Sequence, residues 1–236
     1  DRVFEIGPAF RAEPSFTSRH ETEFTSIDME VAWTASHHDL MALEEGWLVE
    51  VLAAVSAAHG PALDSILGVR IDVPGTPFPR VTMAEAQAIV RASGHIPTKG
   101  DDLDPEGERR LSAYIAREYG HPFVFVTDYP VSARPFYHRR HADRPDLTQS
   151  FDLLWNGIEI TTGAQREHRY EPLRAQAVER GYDLEPLGSY LDFFRYGCPP
   201  HGGMGVGLAR LLMVMLQRSS IREVTFLSRS PTRLTP

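Results

Sequence analysis

Apolar and polar positions alternate with period two through residues 24–33, where Ile27, Met29, Val31 and Trp33 interleave with Asp28, Glu30 and Ala32. Successive side chains of a strand point to opposite sides, so this spacing predicts a strand with one apolar face and one carboxylate-bearing face. Val3-Phe4-Glu5-Ile6 reads as a further strand at the start of the chain. The period then changes. Leu40, Leu43, Trp47, Val51 and Val55 recur at helical spacing and predict a helix over 39–59, with Gly60-Pro61 expected to stop it. Thr82-Met83-Ala84-Glu85 is a capping box opening a helix that ends near Gly94. Asp104-Pro105 opens another, with Leu111, Tyr114 and Ile115 on one face and Gly120 past its end. Gly, Pro and Asp make residues 94–105 a loop.

Strand signals return after residue 120. The apolar run 123–127 is a short strand, and 150–155 and 158–161 flank Asn156-Gly157, a hairpin turn signal. A helix follows over 170–180 with Gly181 at its end, then a Gly-rich and strongly helical stretch over 203–217, then a last strand over 221–226. Strands surround helical insertions without regular βαβ alternation. The expected fold is one α+β domain over residues 1–236, built on a mainly antiparallel sheet flanked by helices.

Composition narrows the class. Hydrophobic residues make 42% and charged residues 24% of the 236 positions, ordinary for a soluble globular chain. The apolar runs are far short of a membrane span, and no signal-peptide pattern opens the chain. The single cysteine, Cys198, excludes an internal disulfide and makes a reducing cytoplasm the default location. A net charge of −8 argues against a generally basic nucleic-acid coat while leaving room for a local basic patch. Nearly all the cations are arginine, Lys99 being the only lysine.

Four segments carry candidate chemistry. FRAEPSFTSRHETEF, residues 10–24, brackets mixed charges with aromatics. It reads either as a solvated hairpin or as a site for a polyanion that also carries an amine or a ring. HGGMGVGLARLLMVML, 201–216, has no Gly-Lys-Ser/Thr and no clear strand leading in, so it is neither a Walker loop nor a dinucleotide fingerprint. Its glycines suit a backbone lying close under a flat ligand, and Arg210 sits among Leu208, Leu211 and Leu212 where it could meet a ring or a phosphate. In GIEITTGAQREH, 157–168, Glu159 faces away from Ile158 and Ile160 and, with Thr162, offers hard oxygens suited to Mg²⁺; the bland alternative is a lone strand acid with a surface Arg166. In SARPFY, 132–137, Arg134 precedes a proline and is held extended.

Together these segments resemble one family, the class II aminoacyl-tRNA synthetases. FRAE…TSRHETEF is similar to their motif 2 and GGMGVGLARLLMVML to their motif 3. DRVFEIGPAFRAE, EFTSIDMEVAW, ARPFY, SFDLLWNGIEITTGAQREH, FRYGCPPHGG and SIREV, with the closing RLTP, resemble the aspartyl-tRNA synthetases of archaeal and eukaryotic type, over nearly the whole chain. The resemblance implies the class II catalytic-domain fold and an ATP-dependent ligase that makes aspartyl-adenylate and passes L-aspartate to tRNA(Asp), with tRNA(Asn) as a further candidate acceptor. By carry-over, Arg11 binds the α-phosphate and, with Arg210, carries catalysis. Glu13 meets the adenine amino group, and Arg19 and His20 hold the far phosphates. Phe24 and Arg210 sandwich the base, while Glu159 and Thr162 coordinate Mg²⁺. Arg166 takes the substrate's side-chain carboxylate, supported by Arg134, Gln165 and His201, with Asp28 and Glu30 near the α-amino group or structural.

Departures are also visible. Ala209 stands where motif 3 usually has Glu, Glu21 where relatives are apolar, and Leu227-Ser228-Arg229-Ser230 where they carry Phe-Pro-Arg-Asp. Motif 1 and the anticodon-binding OB barrel lie upstream in the family and are absent from this chain. The chain is therefore expected to be a fragment or a stand-alone catalytic domain, with a homodimer expected for the full-length protein. Two other readings stay open: a paralogue that activates aspartate for a non-tRNA acceptor, and a non-catalytic regulator that binds an amino acid or RNA.

Overall fold

The period-two segments pair into one sheet and the helical segments cover it in a computed structural model, which describes residues 1–14, 16–98 and 100–235. Ser15 in the charged 10–24 stretch, Lys99 in the expected 94–105 loop and the terminal Pro236 of RLTP lie outside the described residues. In chain order the elements are β1 (Arg2–Phe10), β2 (Glu23–Ala32), α1 (His37–Leu67), β3 (Arg80–Thr82), α2 (Met83–Ala92), α3 (Pro105–Tyr119), β4 (Phe123–Thr127), β5 (Ser150–Trp155), β6 (Ile158–Gln165), α4 (Tyr170–Glu179), α5 (Gly188–Arg195), β7 (His201–Gly207) and α6 (Leu208–Met215). The seven-stranded sheet runs β1-β2-β7-β6-β5-β4-β3. Neighbouring strands are antiparallel except β3 with β4. The α+β class expected from the segment order is the fold observed.

Two apolar layers sandwich one half of the sheet. Phe123 and Phe125 of β4 join Leu40, Met41, Leu48 and Leu52 of α1, together with Phe151, Leu153, Met204 and Val206. Val124 and Val126 point the other way, into Val90 of α2 and Leu111 and Ile115 of α3. A strand buried on both faces reads as a continuous apolar run, which is why 123–127 shows no alternation. Toward β2 and β7 the second layer is missing, and there the sheet presents its polar side.

Local signals account for most element ends. Ser36 and Asp39 form a reciprocal capping box at the start of α1, as Thr82 and Glu85 do for α2. Asp104 caps α3 with Pro105 at its first position, and Gly120 closes it in the left-handed region at φ 65°. Asn156 and Gly157, at φ 49° and 82°, turn β5 into β6 in the manner of a type I′ hairpin.

Three expectations need correction. α1 does not stop at Gly60-Pro61 but continues to Leu67, with Pro61 inside it and Gly68 as its left-handed cap. The missing N–H of Pro61 is outweighed because the apolar stripe continues: Leu63 lines the same groove as Val55 and Trp47. Residues 221–226 form no strand. A 3₁₀ turn spans Ile221–Glu223, and the Ile221 N–H donates to the Ser18 carbonyl at 2.9 Å, so the segment ties down a loop instead of joining a ladder. The glycines before α6 are themselves an interior strand, β7, where the sequence showed no clear strand.

Candidate active site

The open polar face of the sheet floors a cavity of about 520 Å³. Parity puts Phe24, Ser26 and Asp28 of β2 into it, while Ile27, Met29 and Val31 pack toward α1. β7 adds Gly205 and Gly207, and β6 adds Glu159 and Thr162. Gly203, between those two glycines and the start of β7, is sterically required. A Cβ on Gly203 would lie 2.2 Å from the Met29 carbonyl oxygen and 2.3 Å from Glu30 Cδ. β7 can therefore sit beside the carboxylates of β2 only by carrying no side chain on that face.

One end gathers Arg11, Glu13, Arg19, His20, Phe24 and Arg210. Arg11 follows β1 directly, its N–H donating to the Thr22 carbonyl at 2.9 Å, and its guanidinium lies 5.5 Å from the Phe24 ring centre. Arg210, in the first turn of α6, donates through Nη1 to the Glu159 carbonyl and to Glu159 Oε1, both at 3.1 Å, and through Nε to the Arg19 carbonyl at 3.3 Å. A carboxylate thus meets Arg210 although its neighbour in the chain is Ala209. Arg19 is paired with Glu108 of α3. His20 has its pKa lowered, first by burial and then by the Arg210 charge, so its ring is neutral near pH 7.

The middle and far end carry two more arginine–carboxylate pairs. Arg134 Nη2 stands 2.7 Å from Asp152 Oδ2, with its guanidinium carbon 3.5 Å from the Tyr129 ring centre. Burial opposes that charge, but Asp152 and Tyr129 beside it outweigh burial and raise its pKa. Arg166, just past β6, donates to Glu30 Oε1 from Nη2 at 2.7 Å and from Nε at 3.3 Å, while Nη1 lies 3.3 Å from His138 Nε2. Burial, then the Arg166 and Arg134 charges, hold the His138 pKa well below its usual value, so a neutral Nε2 accepts from Arg166. Each terminal nitrogen of Arg166 keeps one further hydrogen, enough for a two-pronged grip on a carboxylate.

Glu159 has its pKa raised, first by burial and next by the Asp152 charge, with Arg210 opposing. Thr162 Oγ1 is 3.4 Å from its Oε1. Among the described residues no group of three or more His, Cys, Asp or Glu stands ready to hold a metal. Glu159 and Thr162 make a smaller set of hard oxygens, of the kind Mg²⁺ takes when phosphate oxygens complete its shell.

Two expected residues lie elsewhere. Gln165 is fully buried and donates from Nε2 to the Thr34 carbonyl at 3.1 Å. It is one position from Arg166, so the pleat turns it to the α1 face, away from the cavity. His201 begins β7 with Nδ1 3.0 Å from the Pro199 carbonyl oxygen and its ring stacked near Phe194, outside the cavity lining. Sequence reasoning assigned no role to Asp152, His138 or Glu108. Asp152 had a signal, an acid inside the apolar run SFDLLW; the other two had none, since their partners are remote in the chain. Glu21, a second departure, is buried, with its pKa raised by burial and one oxygen accepting from Thr225 Oγ1 at 3.3 Å.

Residues 1–231 match the family described as tRNA synthetases class II (D, K and N). All of the chain aligns with the aspartate–tRNA(Asp/Asn) ligase of Aeropyrum pernix, at 43% identity over 238 residues and 54% of that protein. It aligns with the aspartate–tRNA(Asp) ligase of Pyrococcus abyssi at 42% identity over 236 residues, again covering 100% of the chain and 54% of the relative. The solved structure of an aspartyl tRNA synthetase from Entamoeba histolytica superposes with a TM-score of 0.93 at 36% identity, covering 100% of this chain and 49% of that one. The chain thus spans about half the length of the relatives it matches.

Proposed function

The chain belongs to the class II tRNA synthetases of the D, K and N group, and on that premise we propose that it forms the adenylate-making site of an aspartate–tRNA ligase. The observation that carries this reading is a single cavity with cations at both ends. Phe24 and Glu30 mark those ends on β2, six residues or about 20 Å apart at the rise of a strand. That length suits an amino acid joined to a nucleotide.

In this reading ATP lies over Phe24 with its phosphates toward Arg11, Arg19 and Arg210, and aspartate lies toward Arg166. The aspartate α-carboxylate attacks the α-phosphorus and pyrophosphate leaves. Arg11 neutralises the charge that grows on the α-phosphoryl oxygens, an effect strongest in the transition state. No general base is required, because the attacking carboxylate is already ionised; positioning supplies most of the rate. Glu159 and Thr162 would hold Mg²⁺, which screens phosphate charge when bound. Arg166 selects a carboxylate over a carboxamide, since both its free hydrogens need acceptors.

The acceptor in this reading is tRNA(Asp), and the Asp/Asn name of the Aeropyrum pernix relative makes tRNA(Asn) the second acceptor to assay. A cytoplasmic homodimer completes the proposal. Its support is an apolar groove of about 790 Å³ on the other sheet face, lined by Phe4, Ile6, Met29, Trp47 and Leu212 among others. Among the described residues no helix is long and apolar enough to cross a membrane. The test is ATP–pyrophosphate exchange by the full-length protein with aspartate or asparagine, followed by charging of each tRNA. Exchange with aspartate followed by charging supports the ligase; exchange without charging points to a non-tRNA acceptor, and no exchange overturns the reading.

A further inference from the structure

We propose that Glu108 of α3 is a positioning residue that aims Arg19 at the far phosphates of the nucleotide. The inference rests on the reading of Arg19 as a phosphate contact. It begins from where Arg19 sits. The segment between β1 and β2 belongs to no helix or strand at that point, so the backbone alone does not orient a long arginine. Glu108 does. Its Oε2 is 2.5 Å from Arg19 Nη1 and its Oε1 3.5 Å from Nη2, a fork meeting a fork across two distant parts of the chain.

The support behind Glu108 is firm. It lies in the first turn of α3, whose cap Asp104 accepts from Gly107 N at 2.8 Å and Thr98 N at 2.9 Å and meets His95 Nε2 at 2.8 Å. Arg19 lines the cavity and Glu108 does not. The carboxylate therefore stands behind the guanidinium, and a ligand approaching from the cavity meets Arg19 with hydrogens still unspent on both terminal nitrogens. The dependence is mutual: burial raises the Glu108 pKa and Arg19 opposes that shift, so loss of the arginine favours a neutral, unaimed acid.

A side chain that acts only through Arg19 has a distinct signature. In the full-length protein, Glu108→Gln should raise the KM for ATP in pyrophosphate exchange about tenfold, within the span of measured side-chain couplings. The KM for aspartate and the calorimetric affinity for AMP, which lacks the far phosphates, should stay unchanged. In an Arg19→Ala background the Glu108→Gln change should add nothing to the loss of ATP affinity. An unchanged ATP KM, an equal loss for AMP, or full additivity with Arg19→Ala would each overturn the role of Glu108. If Arg19→Ala itself leaves ATP affinity intact, the phosphate reading of Arg19 fails and the proposal with it. Should Glu108→Gln fold poorly, as judged by its melting curve, Glu108→Asp carries the same test with the charge kept and the reach shortened.

Discussion

Two of the arginines that line the cavity, Arg134 and Arg166, meet their carboxylates in different surroundings. The Arg134 and Asp152 side chains are 9% and 6% exposed. Those of Arg166 and Glu30 are 19% and 42% exposed. The first pair is sealed, and removing either partner strands a charge out of water. The second is half open, so Glu30 holds Arg166 from one side while the guanidinium keeps hydrogens for a ligand on the other. The same two chemical groups thus serve as a sealed strut in one place and an open grip in the other.

The sharpest way to break this contrast is at the strut. Asp152→Ala should destabilise the fold by about 3–5 kcal/mol, the usual cost of an uncompensated buried charge; urea unfolding measures it, and a loss below about 1 kcal/mol would mean Asp152 does not hold Arg134. Gly203→Ala comes next. The new methyl meets the Met29 backbone as well as Glu30, so about 1–3 kcal/mol should be lost, together with a raised KM for aspartate. Gly205→Ala should cost less, because its methyl would meet the movable Asp28 carboxylate, with Oδ1 2.8 Å away.

Acid titration tests a third effect, which grows only as the pH is lowered. Burial, then His38, depress the His37 pKa to about 3 from 6.5. The folded state stays unprotonated there while the unfolded state binds a proton below 6.5. Stability should therefore be full above that pH and fall as pH drops toward 3, by about 1.4 kcal/mol per pH unit for such a group. His138 is shifted in the same direction, so His138→Gln should flatten the acid slope measured by denaturant unfolding at stepped pH. The smallest stability change belongs to the grip. Arg166→Ala should cost under about 1 kcal/mol, yet lower aspartate-dependent exchange by about a hundredfold or more. A large stability loss with intact exchange would reverse the assignment of the two pairs.

What the chain declares about itself divides along the same line. The capping boxes, the Asn156-Gly157 turn and the alternation in β2 are local, and each reads directly from neighbouring residues. The arginines of the site are legible because motif segments carry them. Their partners are not: Glu108, Asp152 and Glu30 meet Arg19, Arg134 and Arg166 only after distant elements pack. α5 and the short β3 escaped notice because neither has a long periodic stretch. Gln165 lies a single step of the pleat off the cavity lining, which a motif does not reveal, and Pro61 was weighed against too few residues of the stripe that continues past it.

The seam between β2 and β7 sets an order of events. Ser26 lies beside Gly207 and Glu30 beside Gly203, joining the beginning of the chain to a stretch near its end. Pairings of such separation close a long loop before any contact rewards it, and they are slow to form. During synthesis β1 and β2 leave the ribosome well before β7 exists, and α1 has to wait with its apolar stripe only partly covered. Every arrangement at the cavity floor that needs both strands is thus a late event. Ligand binding across that seam reports that β7 has docked, and any interruption ahead of β7 leaves a polypeptide with most of its helices and a site that cannot close.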